Sequence, residues 1–477
     1  MAQLTDQIMT TSADFAFAAP SDRAHPLHVV RAEDLPAFLS KAGSAWAGWL
    51  TATGFEANLG DTRLLPDADG KVAAAVVGLG TAQARRRLRF GLAKAVATLP
   101  AGDWALTGTL TLPENTEAAL GWLLASYRFD RYRPGRKPAA RPALVCPDGV
   151  DATRLIAMSE GEALTRDLIN TPAQDMGPEE LEAAFMALAD HFGAKARAIC
   201  GDALLEHNFP MIHAVGRASP RAPRLLDLRW GTDGPALTLV GKGVCFDTGG
   251  LNLKPSSGMN LMKKDMGGAA TVMGLAQMIM ALNLPLRLRV LIPAVENVIA
   301  GNALKPKDIL TSRKGLTVEV NDTDAEGRLV LADALTLACE EETDLLISMA
   351  TLTGAARVAV GPDLAPFYTD DDALAAALQA GATAGCDPVW RMPFHDAYET
   401  VIEPGIADLD NAPGFGFAGS ITAALFLRRF ANGPRYIHFD IYGHTPTDQP
   451  ARPKGGVGQG ARALLSALPE MLNMGKK

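Results

Sequence analysis

From residue 236 onward the chain alternates short apolar or β-branched runs with helical patterns, and this alternation limits the folds open to it. The runs at 236–240, 286–292, 316–320, 345–350 and 436–442 have the length and composition of buried strands. A helix between successive strands makes a crossover, which implies a largely parallel sheet covered by helices on both faces. Ligands bind such sheets at the carboxyl ends of the strands. Lys242, Asp324 and Thr351-Leu352-Thr353-Gly354 each follow a run and so belong at that edge.

One of these junctions is Asn321-Asp322-Thr323-Asp324-Ala325-Glu326-Gly327-Arg328-Leu329. The helical pattern after it repeats Leu331 and Leu335. In a strand-to-helix turn, Asp324 and Glu326 can face one spot. Gly327 permits close backbone approach, and Arg328 adds a fixed positive charge. Crowded carboxylates repel unless a cation lies between them. Taken alone, the stretch reads equally well as a solvated acidic turn that caps the helix. A second junction, Gly241-Lys242-Gly243-Val244-Cys245-Phe246-Asp247-Thr248-Gly249-Gly250, follows the 236–240 run. Lys242, Asp247, Lys254 and Asp265 then fall within a short span.

At these residues the chain resembles the leucyl aminopeptidase family. The motifs are Gly-Lys-Gly…Phe-Asp-Thr-Gly-Gly, then Met262-Lys263-Lys264-Asp265-Met266-Gly267-Gly268-Ala269-Ala270, then Thr323-Asp324-Ala325-Glu326-Gly327-Arg328-Leu329. They are long and ordered, and the resemblance runs from about Arg166 to about Tyr442. It implies a hydrolase that removes the N-terminal residue of peptides, Leu or another hydrophobic residue preferred. Two divalent cations, manganese or zinc, would activate the attacking water. Asp247 and Glu326 would bridge them, with Lys242 and Asp265 completing the tighter site and Asp324 the exchangeable one. A lysine ligand must be neutral, well below its ordinary pKa of about 10.4. Lys254 would stabilise the oxyanion. Arg328 would hold a bicarbonate that moves the proton. The resemblance further implies a homohexamer.

The same resemblance assigns the pocket for the N-terminal side chain to Met262, Thr351, Gly354, Tyr442 and Thr445. Met262 is flexible and apolar and can adapt to several hydrophobic side chains. A neutral lining disfavours an acidic or basic substrate side chain. If the Tyr442 ring points into the pocket, Leu and Met are favoured over Trp. Two departures from the family pattern bear on function. Asp322 replaces a usual Asn beside the metals, which bears on metal preference. Tyr442-Gly443-His444-Thr445 replaces a stretch that is often small and apolar, which bears on substrate preference.

Other chemistries lose their support. There is no His-Glu-x-x-His, no Gly-x-Ser-x-Gly and no Gly-Lys-Ser/Thr loop, and the eight histidines are scattered. A two-metal phosphoesterase would use similar carboxylates, but usually with His ligands and basic residues for phosphate. A net charge of −8 opposes nucleic-acid binding, and with it a DNA-binding or regulatory scaffold. Five scattered cysteines with no CxxC pair point to a reducing cytoplasm. The start of the chain lacks the apolar core of a secretion signal, and no run is long enough to span a bilayer.

Residues 1–150 read as a smaller N-terminal α/β domain and 151–477 as the larger catalytic one. The Pro- and Arg-rich stretch containing Pro134, Pro138, Pro142 and Pro147 leads to that boundary. A helical pattern from Thr153 to Ile169 then joins the two domains and ends before Pro172. In the smaller domain, Gly78-Leu79-Gly80 after an apolar run at 72–77 lacks the third glycine of a dinucleotide fingerprint and reads as a tight turn. The arginines at 85–87 and 89 read as a solvated helix face.

Overall fold

A computed structural model describes residues 15–133 and 140–475. Pro134 and Pro138, and most of the segment read as lacking a secretion signal, lie outside these residues. The described chain forms two compact units. The larger is built from Leu164–Pro446 and the chain from Gly455 on, and the smaller from Thr11–Ala163 together with Thr447–Lys454. The division falls within the helix Ala152–Asn170.

The larger unit has a nine-stranded sheet. Its order is Val389–Met392, Ala365–Tyr368, Arg435–Asp440, Leu345–Ala350, Ala236–Gly241, Arg287–Asn297, Arg224–Trp230, Lys195–Cys200, with Gly243–Asp247 also pairing with Arg287–Asn297. The four strands from Arg435–Asp440 to Arg287–Asn297 run parallel, and antiparallel pairings occur only toward the edges. The expectation of a largely parallel sheet therefore holds.

Helices cover both faces. Gly241 turns its missing side chain toward the helix Gly267–Ala281: a Cβ there would lie 2.6 Å from the Ala269 Cα. The adjacent Val240 points the other way, into a core shared with Leu329, Val330 and Leu331 of the helix Glu326–Cys339. Both helices are apolar nearly all round, as sandwiched helices must be.

Two readings of the sequence need correction. The run at 316–320 is a strand, Thr317–Glu319, but it lies outside the main sheet. It pairs antiparallel with Ile309–Thr311 and parallel with Leu409–Asp410. A tight connection sends it back on its own predecessor, with Ser312 N donating to Leu316 O at 2.9 Å. Asp324 therefore approaches the site from this small sheet, not from a main-sheet strand end. In the smaller unit, Gly78 is not part of a turn: the strand Val72–Gly80 continues through it. Glycine is required there because a Cβ would lie 2.2 Å from Asn58 O. The chain turns only at Gly80, where φ is +64°. That unit has its own five-stranded sheet, ordered Thr62–Pro66, Val72–Gly80, His25–Arg31, Gly102–Thr107, Pro142–Leu144, parallel except at the first pair.

The helix Gly267–Ala281 backs closely onto the sheet at Gly268, where a Cβ would lie 2.1 Å from Met349 O, a backbone atom that cannot move aside. Gly268→Ala should therefore destabilise the larger unit by about 1–3 kcal/mol. Gly354→Ala, whose added methyl would meet nothing within 4 Å, should be neutral or slightly stabilising. Denaturant midpoints of the two variants against wild type provide the measurement.

Candidate active site

Four chain segments bring the acidic and basic residues together. Lys242 lies between the strands Ala236–Gly241 and Gly243–Asp247, and Asp247 ends the second. Asp265 sits in the 3-10 turn Met262–Met266. Glu326 is the first residue of Glu326–Cys339, where the exposed amide ends of the helix favour a carboxylate. Side-chain oxygens of Asp247, Asp265 and Glu326 all lie within 4.8 Å of one another, and all three residues are buried.

Lys242 binds this cluster from within the fold. Its Nζ is 2.7 Å from Asp265 Oδ2 and 3.0 Å from Glu326 Oε1, and it donates to Thr351 O at 3.3 Å. Burial pulls its pKa down, but the carboxylates of Asp265, Glu326 and Asp247 outweigh this and raise it above the ordinary lysine value. Gly327 makes the approach possible, since a Cβ there would lie 2.5 Å from Lys242 Cε. Lys254 reaches the cluster from the other motif loop. Its Nζ is 2.8 Å from Asp247 Oδ2 and also pairs with Asp324 Oδ1. The Asp324 and Glu326 carboxyls are both shifted up, by burial first and then by the charge on Asp247. Arg328 is buried with its Nε lacking a hydrogen-bond partner, and burial lowers its pKa to about 10.

The ligand set fits divalent cations. The buried Glu326 Oε2 has no hydrogen-bond partner, and three converging carboxylates are hard oxygen donors in need of positive charge. Among the described residues, this is the one group of three or more His, Cys, Asp or Glu residues arranged to hold a metal.

Asn297, Asn411 and Asp440 support the site from outside the sequence motifs. Asn297 ends its strand and donates to Asp247 Oδ1 at 2.8 Å and to Thr323 O at 3.0 Å. Thr323 in turn donates to Gly249 O at 2.6 Å, stitching the two motif loops together. Asn411 accepts from Asn321 N and donates to Asp322 O at 2.8 and 2.7 Å. Asp322, the departure from the family's usual Asn, accepts from Asp324 N at 2.8 Å. An asparagine side-chain oxygen could accept the same bond, so this contact does not require the carboxylate. Asp440 ends the strand Arg435–Asp440 and accepts from the amides of Leu352 and Thr353 and from the hydroxyls of Thr353 and Ser420, at 2.6 to 3.1 Å. It thereby fixes the chain leading into the helix Gly354–Val360. A polar residue ending an apolar strand was the available clue for Asn297 and Asp440. Asn411 lies about ninety residues from its partners and offered none.

The residues expected to line the side-chain pocket are placed as follows. The Thr351 hydroxyl donates to Asp265 Oδ1 at 2.9 Å, so it supports a carboxylate of the cluster directly. Gly354 is exposed at the start of its helix. Met262 opens the 3-10 turn and is half-buried, and Thr445 is buried where it pairs with Gly455. Tyr442 is half-buried with its ring 5.8 Å from that of His444. The five residues are neutral, but two cations outside that set stand against Tyr442. Lys264 Nζ is 5.1 Å and Arg357 Cζ 5.0 Å from its ring centroid. Burial lowers the Lys264 pKa to about 8.

The five cysteines are free. No helix among the described residues is long and apolar enough to cross a membrane.

Comparison with known proteins accounts for both units. Residues 163–465 match the catalytic domain of the cytosol aminopeptidase family, and residues 25–147 match the N-terminal domain of M17 aminopeptidases. A probable cytosol aminopeptidase of Roseiflexus castenholzii is 41% identical over 375 residues, covering 75% of this chain and 77% of its own length. One from Chlorobaculum tepidum is 35% identical over 492 residues, covering 92% and 97%. Among solved structures, the cytosol aminopeptidase from Coxiella burnetii superposes with a TM-score of 0.90 at 40% identity, covering 96% of this chain and 100% of that one. The bottromycin maturation enzyme BotP in complex with Mn gives a TM-score of 0.83 at 32% identity, covering 94% and 99%. With both units matched and the motif residues gathered at one buried centre, the chain belongs to the cytosol aminopeptidase family and is a metal-dependent aminopeptidase.

Proposed function

We propose that the chain hydrolyses the first peptide bond of peptides, with Leu or another hydrophobic residue preferred at the N-terminus, and that it uses two divalent cations. The observation that carries this reading is the convergence of Asp247, Asp265 and Glu326 within 4.8 Å in a buried site. Asp247 and Glu326 are the proposed bridging ligands. Lys242 and Asp265 complete one site and Asp324 the other. Manganese or zinc suits this set, and the relative solved with Mn supports manganese. Bound at these residues, the cations would supply a water nucleophile that ionises near neutral pH and would polarise the scissile carbonyl.

The chain's own residues do the rest. Lys242 can be a ligand only as the neutral amine, a form that nearby cations favour. Lys254, 15% exposed and reaching the rim of the cluster, is the proposed electrophile for the developing oxyanion. Arg328 has an unpartnered, buried Nε, which supports its role as the seat of a small anion, bicarbonate, that receives and returns the proton. Met262, Thr351, Gly354, Tyr442 and Thr445 are the proposed lining of the side-chain pocket. We take residues 1–150 as an N-terminal domain and 151–477 as the catalytic domain of a cytoplasmic homohexamer acting on peptides.

Glu326→Gln should lose activity and also the full metal complement, since a bridging ligand serves both ions; turnover of leucyl amides with metal analysis is the check, and near-normal values of both would refute the assignment. Lys254→Ala should slow kcat by on the order of a hundredfold or more while retaining metal. Loss of metal together with activity in that variant would make Lys254 a structural partner of the carboxylates instead. Light scattering at micromolar concentration should give a hexamer, and monomer alone would exclude that assembly.

A further inference from the structure

Two cations flank Tyr442, and neither makes an ion pair among the described residues. This separates them from Lys242 and Lys254, whose ammonium groups are each held by two carboxylates. Lys264 is 6% exposed. A buried ammonium without a counter-charge is costly, and the face of one aromatic ring offsets only part of that cost. The acids nearest Lys264 have their oxygens committed elsewhere. Asp265 is engaged by Lys242 and Thr351, and Asp440 by two backbone amides and two hydroxyls. Arg357 is exposed and lies three residues after Gly354 in the helix Gly354–Val360, one turn along the same face. The proposed pocket wall of Gly354, Tyr442 and the Met262–Met266 turn thus carries two positive charges that make no direct ion pair among the described residues.

We propose that this wall recognises a carboxylate on the side chain of the substrate's N-terminal residue, so that peptides beginning with Glu or Asp are cleaved alongside those beginning with Leu or Met. The inference rests on the aminopeptidase reading and on Tyr442 and Gly354 lining the side-chain pocket. Met262 supplies an apolar surface for Leu and Met at one end of the same turn, and Lys264 supplies the counter-charge two residues on. An N-terminal Lys or Arg would bring a third cation to the wall and is rejected.

The test compares kcat/KM for the 4-nitroanilides of Leu, Glu, Asp and Lys in wild type, Lys264→Met and Arg357→Gln. Arg357 is exposed, so its variant keeps the test valid even if Lys264→Met folds poorly. Wild type should cleave the Glu or Asp substrate within about tenfold of the Leu substrate and the Lys substrate far more slowly. Each variant should lower the acidic-to-Leu ratio by roughly tenfold, mainly through KM. A ratio unchanged in both variants, or a wild type that cleaves Leu but neither acidic substrate, overturns this inference and leaves the aminopeptidase reading intact. A wild type that cleaves none of the four refutes that reading as well. Leu-Gly and its C-terminal amide form the control pair. If the variants change that ratio instead, the carboxylate recognised belongs to the peptide's C-terminus and the inference is wrong.

Discussion

Three buried carboxylates within 4.8 Å of one another repel strongly wherever water cannot screen them. The centre of this molecule is an arrangement for holding them there. Lys242 and Lys254 supply positive charge from two sides. Asn297 and Thr351 place amide and hydroxyl donors on individual carboxylate oxygens. Each of these is fixed by something further out: Thr323 ties one motif loop to the other, Asn411 holds the acidic turn, and Asp440 anchors the chain after Thr351. The parallel sheet provides the edge at which these segments meet.

Much of this could be read from residue order. The alternation of apolar runs and helical patterns identified the parallel core because the strands there are largely buried on both faces and so are mostly apolar, with single buried polar residues such as Thr238, Ser348 and His438 among them. The acidic and lysine residues were visible because they stand in glycine-rich junctions where chain direction changes. What escaped was pairing at a distance. The strand Thr317–Glu319 has the composition of a core strand, yet its hydrogen bonds go to Ile309–Thr311 and Leu409–Asp410, and composition does not encode a pairing partner. Asn411 is a lone amide in a polar stretch, and only the folded backbone shows that it closes the turn at Asp322.

The proposed side-chain pocket shows the same limit on a smaller scale. Read one by one, Met262, Thr351, Gly354, Tyr442 and Thr445 are neutral. The charge comes from Lys264 and Arg357, which the 3-10 turn and the helix Gly354–Val360 direct onto the Tyr442 ring. Helical geometry, not sequence adjacency, decides which side chains meet at that ring.

The glycines beneath the centre divide the molecule into a part that can vary and a part that cannot. At Gly241, Gly268 and Gly327 even a methyl group would collide with backbone or with Lys242, so the frame that carries the carboxylates admits almost no stepwise change. The proposed pocket wall is open: a side chain at Gly354 would meet nothing within 4 Å, and Arg357, though it lies against the Tyr442 ring, is exposed. Selection for a new substrate can therefore act on one wall, residue by residue, while the hydrolytic centre stays as it is. An architecture divided in this way is suited to divergence by gene duplication, because a copy can change what it cuts without first losing the ability to cut.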